Sequence, residues 1–372
     1  VKVGYWSPLP PARTGVADYA AALLDALRRK GEVEIESARA DIDLYHTGNN
    51  PLHAAVYDRA LARPGVVVLH DAVLHHFLLG RLDQASYIEE FVYNYGEWMR
   101  GLAGDLWRGR AASGADRRYF EYGMLRRIAE RARALVAHNP AAVESVRRHA
   151  PAARVVEIPH LFAPPALPEL ADVLRWRSAH GVAPGDFLFG VFGYLRESKR
   201  LFSLLDAFER LRRDTPRARL LVAGDFVSSD LGRAAAEPLA AAGAVRLPHL
   251  SEAEFWTAAC AVDACINLRY PAAGESSGVA VRLMGIGKPV FVTDSLESAR
   301  FPADACLRIP AGPEERDSLW RHMVLLTSIP EAAGAIGARA AEHIRTRHAV
   351  DSIADQYWKT LCEACSPSSP AA

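Results

Sequence analysis

Four segments of this 372-residue chain gather glycine, hydroxylated, cationic or imidazole side chains where a short apolar run gives way to an amphipathic one. The first is Ser7-Pro-Leu-Pro-Pro-Ala-Arg-Thr-Gly15-Val-Ala-Asp-Tyr19. A glycine there lets backbone N–H groups approach a phosphate or sugar closely, or is simply a turn residue. It lies outside any G-x-G-x-x-G run, so a dinucleotide site is not indicated. The second, Val66-Val-Val-Leu-His70-Asp71, puts a histidine at the carboxyl end of an apolar strand. His75 and His76 follow, but no carboxylate–histidine arrangement beyond Asp71 closes a metal site.

The third segment is Phe187-Leu-Phe-Gly-Val-Phe-Gly193-Tyr194-Leu195-Arg196-Glu197-Ser198-Lys199-Arg200. Three cations at the start of a helix are electrostatically misplaced unless an anion sits beside them. A diphosphate neutralised by Lys199 and Arg196 would remove the conflict; a solvated loop is the alternative. The fourth is Asn267-Leu-Arg-Tyr-Pro-Ala-Ala-Gly274-Glu275-Ser276-Ser277-Gly278-Val279, which runs into a helix. The N–H groups of Ser277, Gly278 and Val279 would point at an anion, and Glu275 could accept bonds from sugar hydroxyls. Against that stands a simple cap, in which Ser276 or Ser277 closes the helix end.

The elements that must position these residues alternate throughout. Strand-like runs fall at Val1–Trp6, Asp43–His46, Val66–His70, Leu135–His138 and Val155–Ile158, then at Phe187–Gly193, Ala218–Gly224, Val245–Leu247, Ala264–Leu268 and Pro289–Thr293. Their continuous apolar character is that of parallel sheets covered on both faces. Helical periodicity predicts Ala17–Arg29, Leu201–Arg213, Glu252–Ala261, Gly278–Gly287 and Ala349–Leu361. The expectation is two consecutive Rossmann-like, doubly wound α/β domains, 1–165 and 166–348, then a helix over 349–365 and a disordered tail over 366–372. The proline-punctuated stretch from Ala163 to Pro184 reads as the interdomain linker.

Composition excludes other classes. The 44 basic and 44 acidic side chains give no net charge, which removes the simplest case for nucleic acid. No apolar run is long enough to span a bilayer, and the strand-like start is unlike a signal peptide, so a cytoplasmic protein is expected. Five cysteines, all in the last third, make no disulfide framework, and Cys362-x-x-Cys365 lacks the second pair a zinc site needs. One stretch is unbalanced: Arg100, Arg108, Arg110, Arg117, Arg118, Arg126, Arg127, Arg131 and Arg133 face Asp105, Asp116, Glu121 and Glu130. It is either a solvated helical face or a surface for an anionic membrane or acceptor.

Taken together the four segments resemble the retaining, nucleotide-sugar-dependent glycosyltransferases of family four, over nearly the whole chain. Ser7–Tyr19 is similar to that family's acceptor-side glycine loop, and His70-Asp71 to its strand-end histidine. Gly193-x-Leu195-x-x-x-Lys199 resembles its G-R-L-x-x-x-K-G phosphate motif, and Gly274-Glu275-Ser-Ser-Gly278…Gly287-Lys288-Pro289 its E-x-F-G…G-K-P loop. The late helix with Tyr357 and Trp358 is like one that crosses back onto the first domain. The resemblance implies the GT-B fold, two domains facing a cleft, and transfer of a sugar from a nucleotide diphosphate to a hydroxyl with retention. No metal and no cofactor other than the donor substrate is implied. His70, Lys199 and Glu275 would be catalytic. Gly15, Gly193, Arg196, Ser276, Ser277, Gly278, Val279 and Arg282 would join Lys199 and Glu275 in binding the donor. Front-face attack, with the diphosphate receiving the acceptor proton, and domain closure about the linker would follow. Acceptor contacts would come from loops within Ala85–Ala115.

The sequence departs from the family's pattern in three places. Tyr194 stands where the family has a phosphate-contacting arginine, and Arg196 is the expected substitute. Arg282 stands where the second glutamate commonly holds the ribose, in an E-[ST]-S-G…R variant that some bacterial members share. Arg200 replaces the glycine that ends the lysine motif. A sugar-nucleotide epimerase or phosphorylase would use the same architecture. A non-catalytic sugar or nucleotide binder is the rival from another class, and Arg282 favours it.

Overall fold

The computed structural model describes residues 1–12 and 14–365 and builds them into two units, each around one six-stranded, all-parallel sheet. Arg13 and the expected tail, 366–372, lie outside the described residues. By contacts, one unit comprises Val1–Ala163, Pro271–Ser276 and Arg347–Ala372, and the other Pro164–Tyr270 and Ser277–Thr346.

In the first unit the strands are β1 (Lys2–Trp6), β2 (Glu32–Ile35), β3 (Ile42–Thr47), β4 (Val66–Leu69), β5 (Ala134–Ala137) and β6 (Val155–Glu157), in the order β2-β1-β3-β4-β5-β6. The chain builds outward from β1 in one direction and returns to add β3 on its other side, which makes β1/β3 the topological switch point. Every residue of β3, β4 and β5 is buried, as strands covered on both faces require. Tyr45, Val67, Leu69 and Leu135 enter one core, and Leu44, Val66, Val68 and Val136 the other.

The second core is closed by helix Gly15–Arg28 and by the late helix Val350–Cys365. Their junction is polar at one point: the Tyr19 and Tyr357 hydroxyls lie 2.8 Å apart, while Tyr5 donates to the Ala20 carbonyl at 2.7 Å. Thus Val350–Cys365, distant in sequence, is a structural part of the first unit.

In the second unit β7 (Phe187–Phe192), β8 (Ala218–Ala223), β9 (Val245–Leu247), β10 (Ala264–Asn267), β11 (Val290–Thr293) and β12 (Leu307–Ile309) run in the order β12-β11-β10-β7-β8-β9. Here the switch point falls between β7 and β10. These are the two strands whose carboxyl ends carry Gly193 and the 268–277 loop.

Three expectations are corrected. The proline-rich stretch from Ala163 to Pro184 is not all linker: Leu170–Ala179 is a helix, with Arg177 Nη1 bonded to the Ala261 carbonyl at 2.6 Å and Val173 buried. Ala85–Ala115 is largely helical, Gln84–Tyr95 and Arg100–Gly109, rather than a set of loops. The edge strands β2 and β12 were not anticipated, because neither carries the continuous apolar run of a central strand: in β2 only Val33 is buried.

The paired tyrosines give a testable consequence. Tyr357→Phe should lower stability by about 1–3 kcal/mol by leaving the buried Tyr19 hydroxyl without its partner. Adding Tyr19→Phe should recover part of that loss, so urea unfolding of the four-member cycle should show strong non-additivity.

Candidate functional site

The first unit collects its candidate residues where the parallel strands end. His46 lies on β3, His70 and His138 directly follow β4 and β5, and all three alternate onto the face closed by helix Gly15–Arg28. His46 is the register partner of Val68, and the ladder continues as His70 N–H donates to the Thr47 carbonyl at 3.0 Å. This sets His46 Nδ1 2.9 Å from His70 Nε2. Tyr19 forms the roof, its ring centroid 5.0 Å from His70, 5.2 Å from His138 and 4.6 Å from His160. Gly15 opens the helix that carries this tyrosine; Thr14 caps it, and a Cβ at Gly15 would meet no atom of the described residues within 4 Å.

Burial and the neighbouring imidazoles hold His46 and His70 well below the ordinary histidine range. Burial alone dominates at His138, which falls to about 4. These rings are neutral at pH 7, so His70 can meet a hydroxyl by hydrogen bonding but brings no positive charge to a phosphate.

The Glu275 loop belongs to the same unit. Ala72 N–H, two residues after His70, donates to the Ala273 carbonyl at 2.8 Å. Gly274 has φ +70° and lies so close that a Cβ would come within 2.5 Å of Ala72 Cβ, so both backbone and packing demand glycine. Asn139 holds the loop from the other side. Its Oδ1 caps helix Pro140–His149, while its Nδ2 donates to the Gly274 carbonyl and to Ser276 Oγ, each at 3.0 Å. Glu275 itself accepts the Ala273 N–H at 2.7 Å.

In the second unit, Gly193 takes φ +87° directly after β7, and a Cβ there would sit 3.7 Å from both Lys199 Nζ and Val279 Cγ2. The lysine motif and the helix Gly278–Gly285 are therefore neighbours, although 80 positions separate Lys199 from Val279. Lys199 is buried, its ammonium donating to the Phe192 carbonyl at 2.5 Å. Arg196 is exposed. Ser277 does cap the helix: its Oγ accepts the Ala280 N–H at 3.3 Å and the Asn267 Nδ2–H at 2.9 Å. That cap leaves the N–H groups of Gly278 and Val279 at the positive end of the helix dipole.

The departures in the motifs acquire physical explanations. Arg200 adopts φ +59°, the left-handed conformation a glycine would take freely, and its Nε–H donates to both carboxylate oxygens of the buried Glu315, at 2.9 and 3.1 Å. Arg282, expected among the donor-binding residues, is drawn onto helix Glu252–Ala261. It bonds Glu252 at 2.5 Å and lies 4.0 Å from the Phe255 ring centroid and 4.3 Å from that of Trp256. Lys288 closes the same helix, donating to the Cys260 and Val262 carbonyls at 2.8 and 2.7 Å. Tyr194 stacks against His249 with centroids 6.3 Å apart.

In the arginine-rich stretch six of the nine arginines meet carboxylates of the chain, while Arg110, Arg131 and Arg133 donate to the Trp107, Leu61 and Ala364 carbonyls. Arg100 meets Glu89 and Glu97, Arg108 meets Asp105, Arg117 meets Glu121, Arg118 meets Asp116, Arg126 meets Glu130 and Arg127 meets Glu90. Among the described residues no group of three or more His, Cys, Asp or Glu is placed to hold a metal ion, and no helix is long and apolar enough to cross a membrane.

Sequence reasoning passed over His46, His138 and Asn139. A signal existed for each: both histidines end an apolar run, as His70 does, and Asn139-Pro140 is a helix-start pair. Their convergence on His70 and on the Glu275 loop required the sheet order.

No protein-family model matches this chain, and no curated protein matches it by sequence. Solved structures do. Anabaena Alr3699/HepE in complex with UDP and glucose gives a TM-score of 0.68 at 16% identity, over 97% of this chain and 99% of that one. Sucrose-phosphate synthase from Thermosynechococcus elongatus gives 0.66 at 15% identity, over 98% and 99%. WaaG, a glycosyltransferase involved in lipopolysaccharide biosynthesis, gives 0.64 at 16% identity, over 96% and 99%. The likeness is one of fold: two Rossmann-like parallel sheets of the GT-B type.

The buried histidines predict acid sensitivity. Their pKa values lie below that of the unfolded chain, so the unfolded state binds more protons. The stability they contribute is complete above about pH 6.5 and falls as the pH drops toward their native values. Each of His46, His53, His70, His75 and His138 should contribute up to about 1.4 kcal/mol per pH unit in that window. Urea midpoints measured from pH 7.5 to 5 should therefore fall steeply; a flat profile would contradict the cluster's neutral, buried state.

Proposed function

We propose that this protein is a glycosyltransferase that moves a sugar from a nucleoside diphosphate sugar to a hydroxyl acceptor, with retention at the anomeric carbon. The observation that carries the reading is the constellation of Gly193, Lys199 and the Gly278–Val279 amides at the β7/β10 switch point. It offers one buried ammonium and a helix N-terminus beside a glycine whose missing side chain leaves the backbone approachable. A leaving diphosphate is the charge such a site suits. Arg196, exposed on the same loop, adds a second cation. The GT-B fold supports the reading, and the UDP and glucose bound by HepE make uridine diphosphate sugars the first donors to try.

In this reading Lys199, Arg196 and the Gly278 and Val279 amides take the charge that builds on the diphosphate as the bond to the anomeric carbon breaks. His70, neutral and at a strand end, together with Glu275, meets hydroxyls of the donor sugar. The acceptor hydroxyl attacks from the face the diphosphate leaves, forming the new glycosidic bond and passing its proton to a diphosphate oxygen. Gly15, whose Cα has no described residue's atom within 4 Å of where a Cβ would stand, admits the acceptor. The cations replace a divalent metal in leaving-group departure, so turnover should survive chelation by EDTA. The paired arginines between Arg100 and Arg133 favour a solvated face over an anionic-surface docking site.

A thermal-shift screen of nucleoside diphosphates and nucleotide sugars tests the donor site. One nucleotide family should raise the Tm with increasing concentration. Lys199→Ala should weaken that ligand by roughly 10- to 100-fold, the worth of a hydrogen bond to a charged group. Glu275→Gln should lower turnover more than diphosphate binding. A folded protein that binds donors without turning them over, with or without acceptors, would instead be a non-catalytic binder.

A further inference from the structure

We infer that His46 is a positioning residue that fixes the tautomer of His70, so that His70 presents Nδ1–H to its ligand. The inference rests on the reading above in one respect only, that the ligand of His70 is a sugar hydroxyl. The geometry is within the first unit and follows from the β3–β4 register: His46 pairs with Val68, and its Nδ1 lies 2.9 Å from His70 Nε2. Two neutral imidazoles at that distance share one proton, and which ring owns it decides what the second nitrogen of His70 can do.

The surrounding nitrogens decide the direction. His138 Nδ1–H donates to the Ile158 carbonyl at 2.9 Å, and His53 Nδ1–H donates to the His46 carbonyl at 2.8 Å. A carbonyl accepts only, so both rings carry their proton on Nδ1 and leave a bare Nε2. Those two Nε2 atoms are buried without a partner, and so is His46 Nε2. A buried N–H without an acceptor is rarer and costlier than an unused lone pair. His46 therefore follows its neighbours, with a bare Nε2 and its proton on Nδ1, directed at His70 Nε2. His70 Nε2 must then be an acceptor, and the proton of a neutral His70 resides on Nδ1. That atom has no hydrogen-bond partner among the described residues. The ring lies beside the His46 ring, centroids 5.2 Å apart and planes 21° apart, and meets the edge of Tyr19 at 5.0 Å, which limits its rotation.

A free imidazole would offer its ligand either a donor or an acceptor. His70 held this way offers a donor only, which selects a hydroxyl oxygen whose own proton is accepted elsewhere. Nitrogen-15 NMR of imidazole-labelled protein reads the tautomer directly, without reference to catalysis. Wild type should show His70 with a pyrrole-type Nδ1 and a pyridine-type Nε2. In His46→Leu the Nδ1-protonated form should give way to a mixture. His46→Asn, whose amide can put an N–H where His46 Nδ1–H was, should restore it. Donor kcat/KM should fall about tenfold in His46→Leu and recover in His46→Asn, the worth of one hydrogen bond. A packing role alone would not produce recovery tracking the tautomer. Near-UV circular dichroism confirms that each variant is folded.

A wild-type His70 protonated on Nε2, or an unchanged tautomer in His46→Leu, overturns the inference. So does unchanged donor kinetics in a His46→Leu protein whose tautomer has shifted. Absence of any donor binding or turnover in wild type, with the tautomers as expected, would sink the transferase reading while supporting the histidine pair.

Discussion

Parallel pairing is the constraint on which the rest of this structure depends. In a sheet whose strands all run one way, every carboxyl end emerges along one edge, and the return connections cross a face, most of them here with a helix. The central strands are then buried on both sides, which leaves the strand ends as the places where a polar side chain can stand beside the core. His46, His70 and His138 occupy that position on β3, β4 and β5, and Gly193 and the 268–277 loop occupy it on β7 and β10. The sheets do not merely support the candidate residues; their order determines which of those residues are neighbours.

Charge is managed locally. The chain is neutral overall, and six of the nine arginines in its densest run are paired with carboxylates. Such exposed pairs contribute little stability each, but they neutralise most of the basic patch that the linear sequence advertises. The same logic governs the motif departures. Arg200 occupies a left-handed backbone position and meets Glu315; Arg282 rests on Phe255 and Trp256 and meets Glu252. In each case a cation that looks available in sequence is held by a carboxylate over a hundred or thirty positions away.

Polar groups at the strand ends are satisfied unequally. Asn139 uses both ends of its amide, one to start a helix and the other to hold the Glu275 loop, so loss of that side chain would disturb two elements at once. The histidines are less well served, with several bare ring nitrogens buried among aromatic neighbours. Lone pairs tolerate this better than donors do, and the cluster adopts the protonation that leaves lone pairs unused.

The alternation of apolar runs and amphipathic stretches determined by itself that there are two parallel α/β units, and it located ten of the strands, because buried central strands must be apolar along their length. Four candidate segments were legible for a related reason: glycine, cations and hydroxyls where an apolar run stops have few local explanations. The edge strands β2 and β12 and the helix at Leu170–Ala179 were not legible, since an edge or surface element need not carry a continuous apolar signal. Only the tertiary structure decided that Gly274 lies against Ala72, that Arg282 is held by Glu252, and that His46 faces His70. Those are contacts between residues far apart in sequence. Sheet order and register create them, and neither local propensity nor hydrophobic period encodes which distant strand will be the neighbour.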